Sequence, residues 1–315
     1  MEHVVANQLV GDLIDAVGCI LIGKEEQIKL CVACFVARGH LLLEDLPGMG
    51  KTTLAHALAE ACGMSYQRIQ FTSDMLPSDI LGVSVFNSNE ATFEFRQGPI
   101  FSQLVLADEI NRATPKAQSA LLEAMEEKQV TLDGATYSLP SPFFVIATQN
   151  PSDQMGTFAL PESQLDRFLM RIHLGYPDPA VERELINGVN RRDLIKEMKA
   201  AVSLSQLVEM QKQADLIHLS DAVIDYIQRL VAFSRQPSTT HVGLSPRGTL
   251  ALVAAAKAYA FVEGRAHVVP EDVQAVLAAV ADHRLQGGQD VTGHAGSSVV
   301  EKMLSEVDVF DQALL

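Results

Sequence analysis

An apolar run that breaks into a glycine-rich turn constrains this chain more than any other feature of its sequence. Apolar residues 41–43 lead into Glu44-Asp45-Leu46-Pro47-Gly48-Met49-Gly50, and apolar periodicity resumes after Lys51-Thr52-Thr53. Glycine lets backbone N–H groups converge on an anion without Cβ clashes, and the N-terminus of a following helix adds partial positive charge. The sequence therefore predicts a strand, a phosphate-binding loop and a helix, in that order.

This loop supplies the first candidate binding residues. The Lys51 ammonium would reach the β- and γ-phosphates of a nucleotide, and the Thr52 hydroxyl would ligate Mg²⁺. The pattern G-x-x-x-x-G-K-[ST] has glycine at position 45, where this chain has Asp45. A Pro-Gly turn that happens to precede a lysine is the alternative, which the flanking strand and helix disfavour. The predicted ATP-binding residues of the loop are Pro47, Gly48, Met49, Gly50, Lys51, Thr52 and Thr53.

Length and charge limit what surrounds this loop. A chain of 315 residues is too long for one small core, so two domains are expected. Its 39 acidic and 24 basic residues give a formal net charge of −15, which disfavours nucleic acid as a partner. Residues 1–17 contain no Lys or Arg, unlike a secretory signal, and no long uncharged apolar run predicts a membrane span. We therefore expect a cytoplasmic protein.

Two cysteines have the spacing of half a zinc site or of a redox pair. Cys31 and Cys34 form a C-x-x-C motif, but no second C-x-x-C or nearby His pair completes a metal site. Both fall on the apolar face of a predicted helix, so we interpret them as buried packing thiols.

Periodicity predicts alternating strands and helices, followed by helices alone. Strands are predicted at 41–43, 66–71, 104–109, 143–150 and 169–174, and two hairpins pair 83–86 with 92–96 and 129–132 with 135–139. Helices are predicted at 4–20, 22–38, 114–125 and 160–168, and then at 181–190, 204–214, 220–234, 246–263 and 270–284. Tyr176-Pro177-Asp178-Pro179 breaks the pattern, so we predict an α/β domain over 1–178 and an all-α domain over 179–315. Residues after Leu285 are glycine-rich at first and end in one more amphipathic helix; their role is open.

Polar side chains follow two of the predicted strands. The strand 104–109 ends in Asp108 and Glu109, where Asp108 would hold Mg²⁺ through water and Glu109 would polarise an attacking water. Asn150 ends the strand 143–150 and could hydrogen-bond that water or the γ-phosphate. A solvated acidic pair and a turn asparagine are the alternatives. Because a parallel sheet collects its ligands at the carboxyl ends of its strands, we expect these groups to converge on the loop.

Three further positions are candidates. The Ile22-Gly23 turn lies where an adenine could be sandwiched. Arg247 lies in the first turn of a helix capped by Ser245, where a cation opposes the helix dipole, so phosphate sensing explains it better than helix stability does. Arg167 could neutralise phosphate charge, but a surface salt bridge would explain it equally well.

Five motifs together resemble the MoxR family of AAA+ ATPases, in the helix-2-insert group, over roughly residues 5–285. The family also carries this loop without its first glycine. The motifs are Leu42-Leu43-Glu44-Asp45 with Pro47-Gly48-Met49-Gly50-Lys51-Thr52, Leu106-Ala107-Asp108-Glu109-Ile110-Asn111-Arg112-Ala113, Leu121-Leu122-Glu123-Ala124-Met125-Glu126-Glu127, Ala147-Thr148-Gln149-Asn150-Pro151 and Ser245-Pro246-Arg247.

The resemblance implies a fold and a set of roles. It implies an αβα ATPase core with a parallel sheet and two inserted β-hairpins, a helical lid, and hexameric rings with ATP at subunit boundaries. By resemblance Asp108 and Glu109 form Walker B and Asn150 is sensor 1. Arg167 is then the arginine finger acting on the neighbour's ATP, with Arg171 as a second candidate, and Arg247 is sensor 2.

The resemblance also implies a chaperone-like activity on a protein client, often with a partner that carries a von Willebrand factor A domain. A nucleotide-gated scaffold with little turnover is one alternative, which the complete set of Asp108, Glu109 and Asn150 disfavours. A nucleic-acid motor like the minichromosome-maintenance proteins is another, which the acidic hairpin tip Asp133-Gly134 disfavours.

Overall fold

A five-stranded parallel sheet lies at the centre of the first half of the chain. The computed structural model describes residues 3–150, 156–188, 190–237, 239–240, 242–285 and 295–309. The strands are β1 (Leu41–Glu44), β2 (Tyr66–Gln70), β3 (Gly82–Asn87), β4 (Thr92–Gln97), β5 (Leu104–Asp108), β6 (Gln129–Leu132), β7 (Ala135–Ser138), β8 (Phe144–Gln149) and β9 (Met170–Ile172). The central sheet has the order β2-β5-β8-β1-β9. Its inner strands are continuous apolar runs because helices cover both faces.

Helices flank the sheet and form most of the described chain after β9. They are α1 (His3–Gly18), α2 (Glu25–Val36), α3 (Lys51–Ala61), α4 (Pro77–Leu81), α5 (Pro115–Glu127), α6 (Glu162–Leu165), α7 (Pro179–Asn187), α8 (Arg191–Glu197), α9 (Leu204–Asp215), α10 (Asp221–Ser234), α11 (Pro246–Val262), α12 (Pro270–Ala281) and α13 (Ala295–Glu306). The predicted α/β class, the five parallel strands and the helical second half are confirmed. None of the helices among the described residues combines the length and the apolar character needed to cross a membrane.

The two predicted hairpins are present and pack on each other. Strand β3 pairs antiparallel with β4, and β6 pairs antiparallel with β7. The Asp133-Gly134 turn has positive φ at both residues, which the Asp-Gly sequence favours. The Phe95 ring stacks on the Tyr137 ring with centroids 4.1 Å apart, and the Ser84 hydroxyl donates to Asp133 Oδ2 at 2.6 Å. The two hairpins therefore form one unit.

Two apolar clusters lie on the two faces of the sheet. One joins α1, α2 and α3 to the helices that follow β9, and the other lies under α4, α5 and the hairpins. Cys31 and Cys34 are fully buried in the first cluster, and burial raises the pKa of Cys31 to about 12. They are packing thiols, as predicted. The division into domains at residue 178 stays a prediction, because side chains from both sides of it share this first cluster.

The structure corrects several predicted boundaries. The helix predicted over 160–168 is only the short α6, which begins after Pro161, and the strand predicted over 169–174 is β9. Helix α8 was not predicted, because its seven residues carry only two neighbouring apolar side chains and show no period. Of the glycine-rich segment predicted over 286–296, residues 286–294 lie outside the described residues, and 295–296 belong to α13, which confirms the predicted final helix.

Candidate active site

The phosphate loop joins β1 to α3 at the carboxyl edge of the sheet. Gly48 and Gly50 have φ of +86° and +90°, and Gly50 directly precedes the first helical residue, Lys51. These positive angles favour glycine and turn the backbone toward the cavity. The loop lines a cavity of about 290 Å³ together with Asp108, Glu109 and Asn150. Its lining residues from the loop and α3 are Pro47, Gly48, Gly50, Lys51, Thr52 and Thr53.

Asp45 takes the place of the first motif glycine for a structural reason. Its Oδ2 accepts hydrogen bonds from the backbone N–H groups of Leu174 and Gly175, the latter at 2.9 Å. Both donors lie just after β9, where the chain leaves the sheet. The carboxylate therefore fixes the phosphate loop to the segment that leads into the C-terminal helices.

The Lys51 ammonium is buried and bonded to oxygens of neutral groups. It donates to the backbone carbonyl of Asp45, to that of Leu46 at 3.2 Å and to Asn150 Oδ1 at 2.8 Å. Burial lowers the pKa of Lys51, while the carboxylates around it, Asp45 first among them, act in the opposite direction. Within the described chain no carboxylate forms an ion pair with this ammonium. Its charge remains available to an anion in the cavity.

Asp108 is held in one orientation by two partners that the sequence did not reveal. Its Oδ1 accepts from the Thr148 hydroxyl at 2.6 Å, and its Oδ2 accepts from Arg68 Nε at 3.0 Å and Arg68 Nη2 at 2.7 Å. Thr148 and Arg68 lie on β8 and β2, the two neighbours of β5 in the sheet. The buried carboxylate is thus oriented from both sides.

Glu109 is the first residue after β5 and turns sharply away from it. It adopts the left-handed conformation, with φ of 58° and ψ of 50°, at a cost of about 1–3 kcal/mol for a non-glycine residue. Its N–H donates to the Thr148 hydroxyl at 2.8 Å. Asn150 Nδ2 donates to Glu109 Oε1 at 2.9 Å, and Gln70 Nε2 donates to Oε2 at 2.8 Å. The strained backbone therefore aims the carboxylate into a polar network.

These contacts form a continuous chain from Lys51 through Asn150 to Glu109. Asn150 accepts from the ammonium through Oδ1 and donates to the carboxylate through Nδ2. Arg112 adds an ion pair to Glu109, with Nε 3.1 Å from Oε2. A displacement of any one of these groups would shift the other two.

The donor set of the cavity fits a nucleotide with a hard divalent cation. Thr52 and Asp108 line it together, and oxygen ligands of this kind suit Mg²⁺ when phosphate and water complete the coordination. The described residues contain no group of three or more His, Cys, Asp or Glu that could hold a metal without such help. The protein therefore offers a partial shell, as expected where a triphosphate brings part of the ligands.

A second cavity, of about 220 Å³, adjoins the first and is more apolar. It shares Gly48, Gly50 and Thr53 with the phosphate cavity and is also lined by Ile22 and Met49. Its other lining residues are Ile20, Leu21, Lys24, Gly175, Pro177, Leu185 and Arg191. Gly23 has φ of +70°, and a Cβ there would lie 2.7 Å from Val181 Cγ2. The Ile22-Gly23 turn therefore lies against α7 at the place predicted for the base.

Arg167 and Arg247 lie at the opposite edge of the sheet. They line a cavity of about 360 Å³ with Arg38 and His40, which immediately precede β1, whereas the phosphate loop follows β1. The four residues of β1 alone span about 10 Å. No residue of the phosphate loop lines this cavity. The structure therefore groups the two arginines with each other and not with the P-loop of their own chain.

One carboxylate joins these two arginines. Glu126 at the end of α5 forms ion pairs with Arg167 Nε, 3.0 Å away, and with Arg247 Nη2. Arg247 Nη1 also lies 3.8 Å from Asp166, whose other oxygen accepts from Arg284 Nε at 2.7 Å. Arg167 and Arg247 keep 28% and 52% of their side chains exposed. We call the set Glu126, Asp166, Arg167, Arg247 and Arg284 the arginine cluster.

Arg171, the second finger candidate, lies elsewhere. It extends from β9 and pairs with Glu44 at the end of β1, with Nη1 3.0 Å from Oε2. Both side chains line a cavity of about 270 Å³ that also includes Asn150. Arg171 therefore lies at the carboxyl edge, with its charge opposed by a carboxylate, and not in the arginine cluster.

Sequence reasoning missed several residues of the site. Arg68 and Gln70 alternate along β2 and both reach the acidic pair, and that period-two spacing was a usable signal. Thr148, two residues before Asn150 on β8, carried a similar signal. Arg192 lines the phosphate cavity from α8, and nothing local in the sequence points to it.

Comparison with known proteins agrees with this geometry. Residues 40–170 match the ATPase family associated with various cellular activities (AAA), and residues 232–303 match the AAA lid domain. The chain is 41% identical to the uncharacterized protein YeaC of Bacillus subtilis, over 96% of this chain and 95% of that protein. It is 39% identical to the chaperone MoxR1 of Mycobacterium tuberculosis, over 84% of this chain and 72% of that protein.

A solved structure shares this fold. The crystal structure at 2.00 Å resolution of a Cytophaga hutchinsonii protein classed with ATPases has a TM-score of 0.89 to this chain at 36% identity. The match covers 98% of this chain and 97% of the other. The chain therefore belongs to the MoxR family of AAA+ ATPases, enzymes that hydrolyse ATP.

Proposed function

We propose that this ATPase works as a ring in which each active site is shared by two neighbouring subunits. The observation that carries the proposal is the separation of the two halves of the chemistry. The phosphate loop and acidic pair lie at the carboxyl edge of the sheet, whereas Arg167 and Arg247 lie at its amino edge. Since the arginines cannot serve their own chain's phosphate loop, a neighbouring copy is the partner that brings the two edges together.

Residues of one subunit bind and orient the nucleotide. Lys51 and the loop N–H groups bind the β- and γ-phosphates, and Thr52 and Asp108 hold Mg²⁺. Glu109 accepts a hydrogen bond from the attacking water and draws its proton, while Asn150 positions that carboxylate. The Asn150 link between Lys51 and Glu109 supports this division, because it couples phosphate binding to the orientation of the base.

The neighbouring subunit supplies the cations. Arg167 and Arg247 would stabilise the negative charge that grows on the transferred phosphoryl group, as arginine fingers do in other P-loop enzymes. In a single chain Glu126 and Asp166 neutralise them. Arg171 is the weaker candidate for this role, because Glu44 holds it at the carboxyl edge.

We further propose that the ring is a hexamer and that hydrolysis remodels a protein client. The chaperone name of the Mycobacterium tuberculosis relative supports a client, and a partner with a von Willebrand factor A domain is the family expectation. The hairpin of β3 and β4 exposes Phe86 and Phe93, with 53% and 73% of their surfaces accessible. Exposed aromatic side chains suit an apolar protein segment better than a phosphate backbone.

The dependence of activity on concentration tests this proposal. Specific ATPase activity should rise with protein concentration and level off where mass photometry with ATP shows closed rings. A shared site is complete only when a neighbouring subunit supplies Arg167 and Arg247. If a protein that stays monomeric with ATP present has full specific activity, the shared site is wrong.

A further inference from the structure

One arginine of the C-terminal half lines the phosphate cavity from the same chain. Arg192 is the second residue of α8 and lines the cavity with Lys51, Thr52 and Glu109. Asp108 and Asn150 border the same space. Arg192 therefore lies on the side of the phosphate loop where the groups proposed to surround a γ-phosphate converge.

The backbone around Arg192 is fixed to the phosphate-binding helix. Helix α8 packs against α3, and its Ile195 side chain is buried in the apolar cluster that includes side chains of α3. After α8, the N–H groups of Ala201 and Val202 donate to the carbonyl of Ala61 at 2.8 and 3.1 Å. The Asn190 side chain accepts from the Arg192 N–H at 3.0 Å. The starting point of the Arg192 side chain is thus set relative to Lys51, ten residues before Ala61 on the same helix.

Arg192 differs from its neighbour in how its charge is used. Arg191 Nη1 donates to the Cys19 carbonyl at 3.3 Å, and its Nη2 lies 3.9 Å from Glu184. The exposed Arg192 guanidinium forms no hydrogen bond or ion pair with any residue that the structure describes. A cation in the first turn also opposes the helix dipole, so helix formation does not account for it.

The other arginines around the two edges are already paired. Arg68 is held by Asp108, Arg171 by Glu44, and Arg247 by Glu126. Arg192 is different, because it borders the cavity without a carboxylate of its own. A triphosphate in that cavity would give it the anionic partner that the protein does not supply.

We propose that Arg192 binds the γ-phosphate of the ATP held by its own subunit. This inference rests on the proposed phosphate site at Lys51. Arg192 then acts from the same chain, opposite the arginines that the neighbour contributes. Its guanidinium discriminates ATP from ADP, because ADP lacks the group it contacts.

Calorimetric binding of ATP and ADP with Mg²⁺ tests the inference without relying on turnover. All variants carry Glu109→Gln so that ATP persists during the titration. Arg192→Ala should weaken ATP binding by about 10- to 100-fold, as expected for loss of a charge-assisted hydrogen bond, and change ADP binding by less than about twofold. Arg192→Lys should lie between, since it keeps the charge but loses the planar fork.

Lys196→Ala is the matched control, because it removes an exposed cation of the same helix that pairs with Asp193 and does not line the cavity. It should leave both affinities unchanged. Equal losses of ATP and ADP affinity in Arg192→Ala would contradict the γ-phosphate contact. Unchanged affinities in Arg192→Ala, with both lost in Lys51→Ala, would overturn the role of Arg192 and leave the proposed site intact. Unchanged affinities in Lys51→Ala as well would overturn the site itself.

Discussion

The two edges of the central sheet use charge in opposite ways. At the carboxyl edge, Lys51, Asn150 and Glu109 bond to one another, and the ammonium lacks a carboxylate partner among the described residues. At the amino edge, Arg167 and Arg247 share Glu126 and face an open cavity. The first edge is organised to receive an anion, and the second offers cations that no phosphate of the same chain can reach. Under the proposed shared site, this difference means that one chain carries both parts of a phosphoryl-transfer site and that a neighbouring copy completes it.

Removing the proposed arginine finger, Arg167, should have the largest effect on kcat and should leave ATP binding intact. Arg167→Ala should lower kcat by about three to five orders of magnitude, the range seen for arginine fingers in other P-loop enzymes. ATP affinity should stay near that of the parent, because Lys51 and the loop are intact. Steady-state ATPase assays and calorimetry give the two values.

Arg171→Ala is the matched comparison for the finger. It removes the competing arginine, which pairs with Glu44 at the other edge. If Arg171→Ala lowers kcat more than Arg167→Ala does, the arginine finger is Arg171 at the carboxyl edge, and the proposed division of roles between the two edges is wrong.

Removing the base should give the next largest effect. Glu109→Gln should lower kcat by about two to four orders of magnitude, because an amide cannot take the proton of the attacking water. It should still bind ATP, since Lys51 and the phosphate loop are intact and the remaining amide oxygen can accept from Asn150. Glu127→Gln, an exposed change on α5, serves as the control. Parental turnover in Glu109→Gln would show that another group activates the water.

Removing the Lys51 ammonium should mainly reduce the affinity for ATP. Lys51→Ala should weaken ATP binding by about 100-fold or more, because the triphosphate loses its charge-assisted hydrogen bonds. Stability should change little, as the ammonium bonds loop carbonyls and Asn150 and lies outside the apolar clusters. Calorimetry and thermal melting measure the two effects. An ATP affinity equal to that of the parent would remove the basis for assigning the carboxyl edge to phosphate.

The amino edge should be sensitive to pH through His40. Burial lowers the pKa of His40 to about 4, and its ring accepts the Val145 N–H at Nδ1 and contacts the Met125 carbonyl through Nε2. In the unfolded chain His40 has a pKa near 6.5, so below that pH the unfolded chain takes up a proton that the folded chain does not. The free energy of unfolding is therefore unaffected by this residue above pH 6.5 and falls as the pH drops toward 4. The free energy of unfolding should fall by about 2 kcal/mol between pH 7 and pH 5 from this residue. Urea unfolding at pH 7 and pH 5 should show that the free energy of unfolding depends less on pH in His40→Gln than in the parent. An equal pH dependence in the two proteins would contradict the assignment to His40.

Sequence reasoning predicted the carboxyl edge well for a physical reason. Parallel strands deliver their ends to one edge, so residues that follow β1, β5 and β8 must converge there. Lys51, Asp108, Glu109 and Asn150 were therefore placed correctly near one another without any coordinates. Their catalytic roles stay predictions until the variants are measured.

The amino edge could not be predicted in the same way. Arg247 is the second residue of α11, and its position depends on how that helix packs against α2 and α12, which no local pattern encodes. The sharing of Glu126 by Arg167 and Arg247 joins three distant segments of the chain. Helix α8 and Arg192 were missed for a related reason, because a seven-residue helix has too few apolar positions to show a period.

Mixing two inactive variants tests the shared site most directly. Arg167→Ala keeps its own Glu109 but lacks the finger it would offer to a neighbour, whereas Glu109→Gln keeps that finger. In a mixed ring, an interface that combines Glu109 of the first variant with Arg167 of the second has all its residues. ATPase activity should therefore return on mixing to well above the sum of the separate variants, and it should follow the fraction of mixed rings seen by native mass spectrometry. If mixed rings form and activity stays at that sum, the two edges do not meet across subunits and the account of a shared site is wrong.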